Sequence, residues 1–288
     1  MRVASPLLDR LTDGTRNYSK NHRVLAKHIL DHYQSVAFST VKQLSQQAGV
    51  SEATIVRFAK ALDFSGYPGL QQEIRRMVRA DLKGTERFAL TAQRRPAVAE
   101  DAGPLDTIID KELENINGLR ETLDRKALAR AVKLLHGASA VAIVGTRSSA
   151  PLAHHLWFGL DKIGIPAARF LSVTPETYGH LDRLDRKACI VIIGFPRYLR
   201  ELVDCLRFAR KRSLKTLTLT DSPFSPLAGD VSLRTPAESA STFAAHCAPL
   251  ILINGLLHAL SLLDPPRTLA ALNRFEALAE QQAYFVEA

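Results

Sequence analysis

The sequence predicts an all-α helix-turn-helix domain followed by a parallel α/β sandwich, and three observations carry that fold class. Between Thr40 and Gly69 two short helical patterns meet at a glycine. From Val141 onward short apolar runs without alternation take turns with helical stretches, as a sheet covered on both faces requires. Between these regions the amphipathic pattern lapses around Gly84, Arg94-Arg95-Pro96 and Gly103-Pro104. The expected organisation is therefore a helix-turn-helix domain over 1–80, a linker over 81–105 and an α/β domain over 106–288. A length of 288 residues is in keeping with about two domains.

Residues 1–20 are polar and weakly patterned. Val24, Leu25, Ile29 and Leu30 then give a helix over 21–34 its apolar face. The next helix, roughly 40–48, opens on Thr40 with Gln43 three residues on, the spacing of a reciprocal capping box. Gly49 supplies the left-handed exit. Ser51 is placed to cap the following helix, whose Ile55, Phe58, Ala59 and Leu62 fall on one buried stripe. Its other face carries Glu52, Ala53, Thr54, Arg57 and Lys60, small hydrogen-bonding groups followed by cations, as on a helix that reads base edges and phosphates. Thr40, Ser51 and these five are the candidate DNA contacts. Pro68 begins a further helix to about Ala80 that carries Arg75, Arg76 and Arg79.

Ile109, Leu113, Ile116 and Leu119 are in phase on a helix over 106–123, and after Asp124 a second runs to about His136. Strands are expected over 141–145, 167–171, 188–194, 215–220 and 230–233, with helices over 148–162, 176–184 and 199–212 between them. Helical crossovers make such a sheet parallel. The tail is expected to be helical over 239–263 and 267–283, where Leu269, Leu272, Phe275 and Leu278 share a face.

Charge is unevenly spread. Residues 1–80 hold 12 Lys+Arg against 6 Asp+Glu, which is most of the formal net charge of +9. A basic first quarter attracts polyanions and suits DNA. Cys189, Cys205 and Cys247 lack metal-ligand or C-x-x-C spacing and read as buried reduced thiols, which points to the cytoplasm. No leader of the basic-then-apolar kind opens the sequence. The longest apolar run, 248–263, is shorter than the ~20 residues of a membrane span and contains Asn254 and His258, so it reads as a core helix. No membrane partner, metal or cofactor is expected.

In an open parallel sheet, ligands bind beyond the carboxyl ends of the strands. The first loop there offers Thr146, Arg147, Ser148 and Ser149 at a helix N-terminus, where free N–H groups favour an anion; Ser148 or Ser149 acting only as a helix cap is the even alternative. The second offers Arg197 and Tyr198, the third Asp221 and Ser222, and Glu238 follows the last strand.

The segment AGVSEATIVRFAKALDFSGYPGL (48–70) and the run LTDSPFSPLAGDV (219–231) resemble the RpiR (MurR/RpiR) family of bacterial transcriptional regulators, across about residues 10–265. The resemblance implies a five-stranded SIS (sugar isomerase) sensor domain, dimers or tetramers, and an operator-binding repressor or activator controlled by a small ligand, commonly a phosphosugar. One departure stands out. Pro196, Arg197 and Leu199 occupy the places of the Ser, Gly and Thr of the usual phosphate-binding turn, so a carboxylate, an amino acid or another sugar derivative is about as well suited. The alternative function is an isomerase-like enzyme, for which Glu238, His154, His155, His180 and His246 are the available acid–base groups. A purely architectural DNA-binding protein would need no crevice.

Overall fold

A computed structural model describes Leu7, Leu11 and residues 18–81, 85–86, 88–89 and 103–286. Most of the stretch expected as linker, and the side chain of Arg79, lie outside the described residues. The chain forms two compact units, Met1–Arg94 and Arg95–Ala288.

The first unit holds four helices with described bounds: α1 (Lys20–Val36), α2 (Val41–Ala48), α3 (Glu52–Ala61) and α4 (Tyr67–Asp81). Both bonds of the capping box form at α2, from the Thr40 amide to Gln43 Oε1 at 2.7 Å and from the Gln43 amide to Thr40 Oγ1 at 3.2 Å. Gly49 ends it with φ at 65°, a conformation that costs glycine nothing. Leu25, Ile29, Leu44, Ile55, Phe58, Leu62, Leu70 and Ile74 are fully buried between the helices. Helix α4 is tied to the α1–α2 turn through its polar groups. Tyr67 Oη and Gln71 Nε2 both donate to the Ser39 carbonyl, at 2.7 and 2.6 Å, and Arg75 Nε donates to the Ala37 carbonyl at 2.7 Å. Arg76 pairs with Glu73. These arginines, expected as part of a basic helix, are used inside the unit.

The second unit opens with α5 (Pro104–Thr122) and α6 (Arg125–His136), then β1 (Val141–Val144), α7 (Ala150–Lys162), β2 (Ala167–Phe170), α8 (Pro175–Asp182), β3 (Cys189–Ile193), α9 (Arg200–Lys211), β4 (Lys215–Thr220) and β5 (Val231–Arg234). Helices α10 (Cys247–Leu263) and α11 (Pro265–Gln282) close it. The sheet order is β2-β1-β3-β4-β5, and every pairing is parallel, as the unalternating strands predict. β1 and β3 are buried along their whole length. One face packs Ile143, Val191, Leu217 and Leu233 against α5, α6, α7 and α10; the other packs Val144, Ile190 and Ile192 against α8 and α9.

Two expectations need correction. The tail helix expected from Ser239 begins only at Cys247, and 235–246 is irregular. Helix α5 supplies the backbone partners a helix would have made: Asn115 Nδ2 donates to the Glu238 carbonyl at 2.8 Å, Asn115 Oδ1 accepts the Glu238 amide at 3.2 Å, and Glu112 Oε1 accepts the His246 amide at 3.0 Å. Cys247 therefore sits in the first turn of α10 and is exposed, whereas Cys189 and Cys205 are buried and burial pushes both thiols up to about 12. Among the described residues no single helix is long and apolar enough to cross a membrane.

Candidate functional site

On α3 the outward side chains are Glu52, Ala53, Val56, Arg57 and Lys60, preceded by Ser51. Thr54 is corrected from the outer face to the inner one: it is 5% exposed. Its hydroxyl lies 2.8 Å from Ser51 Oγ, its amide donates to the same oxygen at 3.2 Å, and Arg57 donates to Thr54 Oγ1 at 3.3 Å. The cap thus draws Thr54 in and uses it to hold the Arg57 guanidinium. Val56 takes the outer position. Thr40 is exposed, but its amide and hydroxyl are both spent in the capping box. An aromatic group of Tyr18, His22 and Phe58 packs behind the helix. Burial, and secondarily the Arg57 charge, hold the His22 imidazole below its ordinary range.

In the second unit the sheet reverses direction of growth at β1, which has β2 on one side and β3 on the other. The loops leaving β1 and β3 therefore flank the switch point, where ligands of open parallel sheets bind. A Cβ on Gly145 would stand 2.8 Å from Ala153 Cβ and 2.9 Å from the Ser149 carbonyl, so the first loop needs glycine to fold back tightly. Thr146 is buried and donates from Oγ1 to Glu201 Oε1 at 2.6 Å, joining this loop to the first turn of α9. Arg147 is exposed and has left-handed φ at 52°. Ser148 is exposed, Ser149 is buried, and neither caps α7, whose N-terminus has no side-chain hydrogen bond. The N-terminus of α9 is likewise without a side-chain cap. Two helices therefore turn their positive dipole ends toward adjacent loops, an arrangement suited to an anion; α9 opens directly, whereas a 3-10 turn before α7 takes up the Ser149 and Ala150 amides and Pro151 has no N–H.

Arg197 is exposed at the second loop. Tyr198 donates from Oη to Asp221 Oδ1, which ties the second loop to the third. Burial first, and the Asp221 charge second, push this phenol well above its ordinary value, so it stays protonated. Ser222 is buried and accepts the Phe224 amide at 3.0 Å, shaping the turn. Thr146, Tyr198, Asp221 and Ser222 thus brace the loops, while Arg147, Ser148 and Arg197 present outward.

Glu238 is engaged by α5 instead, its carboxylate 3.1 Å from Lys111 Nζ. Burial pulls the Lys111 ammonium down, but Glu114 and Glu238 outweigh it and hold its pKa above the ordinary value. Glu201 joins the loop site through Thr146, and Lys111, Glu112 and Asn115 hold the segment around Glu238; the sequence pattern singles out none of the four. For Glu201 the local signal is a carboxylate in the first turn of a helix; the partners that give these residues their roles lie 55 to 135 positions away. The acid–base candidates are dispersed: His155 Nε2 is 2.7 Å from Asn254 Oδ1, His154 packs on Trp157, and His180 packs on Phe170. Among the described residues no three His, Cys, Asp or Glu side chains are grouped to hold a metal ion. A cavity of about 290 Å³ lies beside β4 and β5, lined by Thr220 and the predicted site residue Ser222 together with Asp124, Asp230, Arg130 and Arg234, whose charges balance.

Comparison with known proteins gives a consistent result for both units. Residues 6–79 match the helix-turn-helix domain of the rpiR family, and residues 134–259 match the SIS domain. The Escherichia coli transcriptional regulator HexR is 24% identical over 227 residues, covering 79% of this chain and 76% of that one. The sugar isomerase domain of an RpiR transcription factor from Sphaerobacter thermophilus superposes with a TM-score of 0.59 at 26% identity, covering 60% of this chain and 98% of that one. Vibrio vulnificus NanR, solved in complex with ManNAc-6P, superposes with a TM-score of 0.59 at 22% identity over 96% of this chain and 98% of that one.

Proposed function

Since the chain belongs to the RpiR family of helix-turn-helix transcriptional regulators with a SIS domain, we propose that α3 reads an operator and that the crevice beside β1 takes a small anionic effector that changes operator affinity. Ser51, Glu52, Ala53, Arg57 and Lys60 are the DNA-facing groups in this reading, with Thr54 holding Arg57 in place. The observation that carries the effector half is the pair of uncapped helix N-termini, α7 and α9, leaving adjacent loops. Their dipole ends, the first-turn N–H groups of α9 and the exposed Ser148 and Arg197 suit a phosphate or carboxylate.

A phosphosugar is the leading class, as ManNAc-6P is for NanR. The replacement of the usual phosphate turn by Pro196, Arg197 and Leu199 keeps carboxylates and other sugar derivatives in the test panel. A role as sensor rather than isomerase is supported by the engagement of Glu238 with Lys111 and of His155 with Asn254. The exposed Leu269, Phe275 and Leu278 of α11 suit pairing of two copies, which would match two reading helices to two half-sites of an operator in the cytoplasm.

The test combines operator selection from genomic fragments with titration of sugar phosphates, sugar acids and amino acids into the complex. One class should shift operator affinity at least about fivefold, the lower range of allosteric coupling. Specific binding that no member of the panel alters would reject the sensor half.

A further inference from the structure

Val56 is the large apolar side chain that α3 turns outward: it is 37% exposed, while its neighbours on the buried face, Ile55 and Phe58, are at 0%. Ala53, Val56, Arg57 and Lys60 are spaced i, i+3, i+4 and i+7, so they form one outer stripe, charged at Arg57 and Lys60 and apolar at Ala53 and Val56. β-branched valine is a weaker helix former than the residues that ordinarily fill solvent-facing positions, and it gains nothing from water. Its isopropyl group needs an apolar partner to contribute anything. In the major groove the base edges present donors, acceptors and a single apolar feature, the C5-methyl group of thymine.

We infer that Val56 is a specificity-determining residue that reads thymine methyl groups, with Ala53 beside it leaving room for the base edge to approach. The inference rests on the reading of α3 as the operator-binding helix and adds to it the chemistry of one contact. Arg57 and Lys60, on the same stripe, supply affinity through phosphates or purine edges, and Arg57 is held on its side of the helix by Thr54. Val56 then discriminates among bases at the point where the helix is flanked by those cations.

The experiment uses the full chain and a duplex obtained by selection from random sequences. Each thymine in the selected duplex is replaced singly by deoxyuridine, which removes one methyl group and leaves every hydrogen-bonding group unchanged. Wild-type protein should lose roughly threefold to tenfold in affinity at one thymine per half-site, the scale of one buried methyl contact. Val56→Ala should lose a similar factor on the thymine duplex and bind the deoxyuridine duplex equally well, with unchanged helical circular dichroism. Val56→Thr, which keeps the shape, should retain part of the methyl preference. A wild type indifferent to deoxyuridine at every position, or a Val56→Ala variant with undiminished methyl preference, overturns the assignment while leaving operator binding intact. A selection that enriches no sequence removes the operator reading itself and Val56 with it.

Discussion

Thr54 lies on the inner side of α3, where the sequence pattern places it outward, and the reason is the cap. Ser51 accepts the Thr54 amide and meets its hydroxyl, so Thr54 turns inward and becomes a support for Arg57. At the same scale, two histidines of α1 set a pH dependence. Burial and then Arg57 hold His22 below the ordinary imidazole value. Burial and then the His32 charge do the same for His28, against an opposing pull from Asp31. His28 Nε2 is shielded and has no hydrogen-bond partner among the described residues. Because the folded state takes up these protons later than the unfolded chain, stability is full above about pH 6.5 and is lost as pH falls below it. Thermal unfolding of the full chain should show a lower midpoint at about pH 5.5 than at about pH 7.5, and the dependence should flatten in a His22→Gln/His28→Gln variant. An equal dependence in that variant would assign the effect to other groups.

Among elements, α5 does work that its own sequence does not announce. Its in-phase apolar residues suggest an ordinary core helix, yet Leu113 is 51% exposed and Ile109 45%, while Asn115 is 3% exposed. Asn115 holds both backbone groups of Glu238, Glu112 receives the amides at the start of α10, and Gly118 lets Pro236 approach to a distance a Cβ would crowd at 3.1 Å. Asn115→Ala should cost about 1–3 kcal/mol, because it strands a buried N–H and C=O pair rather than only removing two bonds. Denaturant unfolding measures this. A loss below about 0.5 kcal/mol, the size of an ordinary surface change, would show that the segment finds other partners. The helix starts were legible where a short side chain caps its own turn, as at Thr40, Ser51 and Asp124. The segment 235–246 was not, since its geometry is set by residues more than 120 positions away.

At the scale of the molecule, charge is the property that acts at a distance. The excess of six positive charges within residues 1–80 favours a polyanion before any base is read. Operator affinity should therefore fall steeply between about 50 and 200 mM salt. Lys60→Ala should weaken binding to all sequences alike and reduce the slope of log affinity against log salt by about one. An unchanged slope would place Lys60 away from phosphate.

Local patterns along the chain specified the helix-turn-helix and the five parallel strands, because capping side chains, apolar spacing at i, i+3, i+4 and i+7 and unalternating strands are local consequences of backbone geometry. They also marked the loops beyond the strands as the place to look, since a parallel sheet has one ligand-binding end. Tertiary structure alone decided what each polar group in those loops does. Thr146 serves Glu201, Tyr198 serves Asp221 and Glu238 serves Lys111, which leaves Ser148, Arg147 and Arg197 outward. Hydrogen-bond partners brought together from distant positions are set by packing, and spacing along the chain carries no record of them.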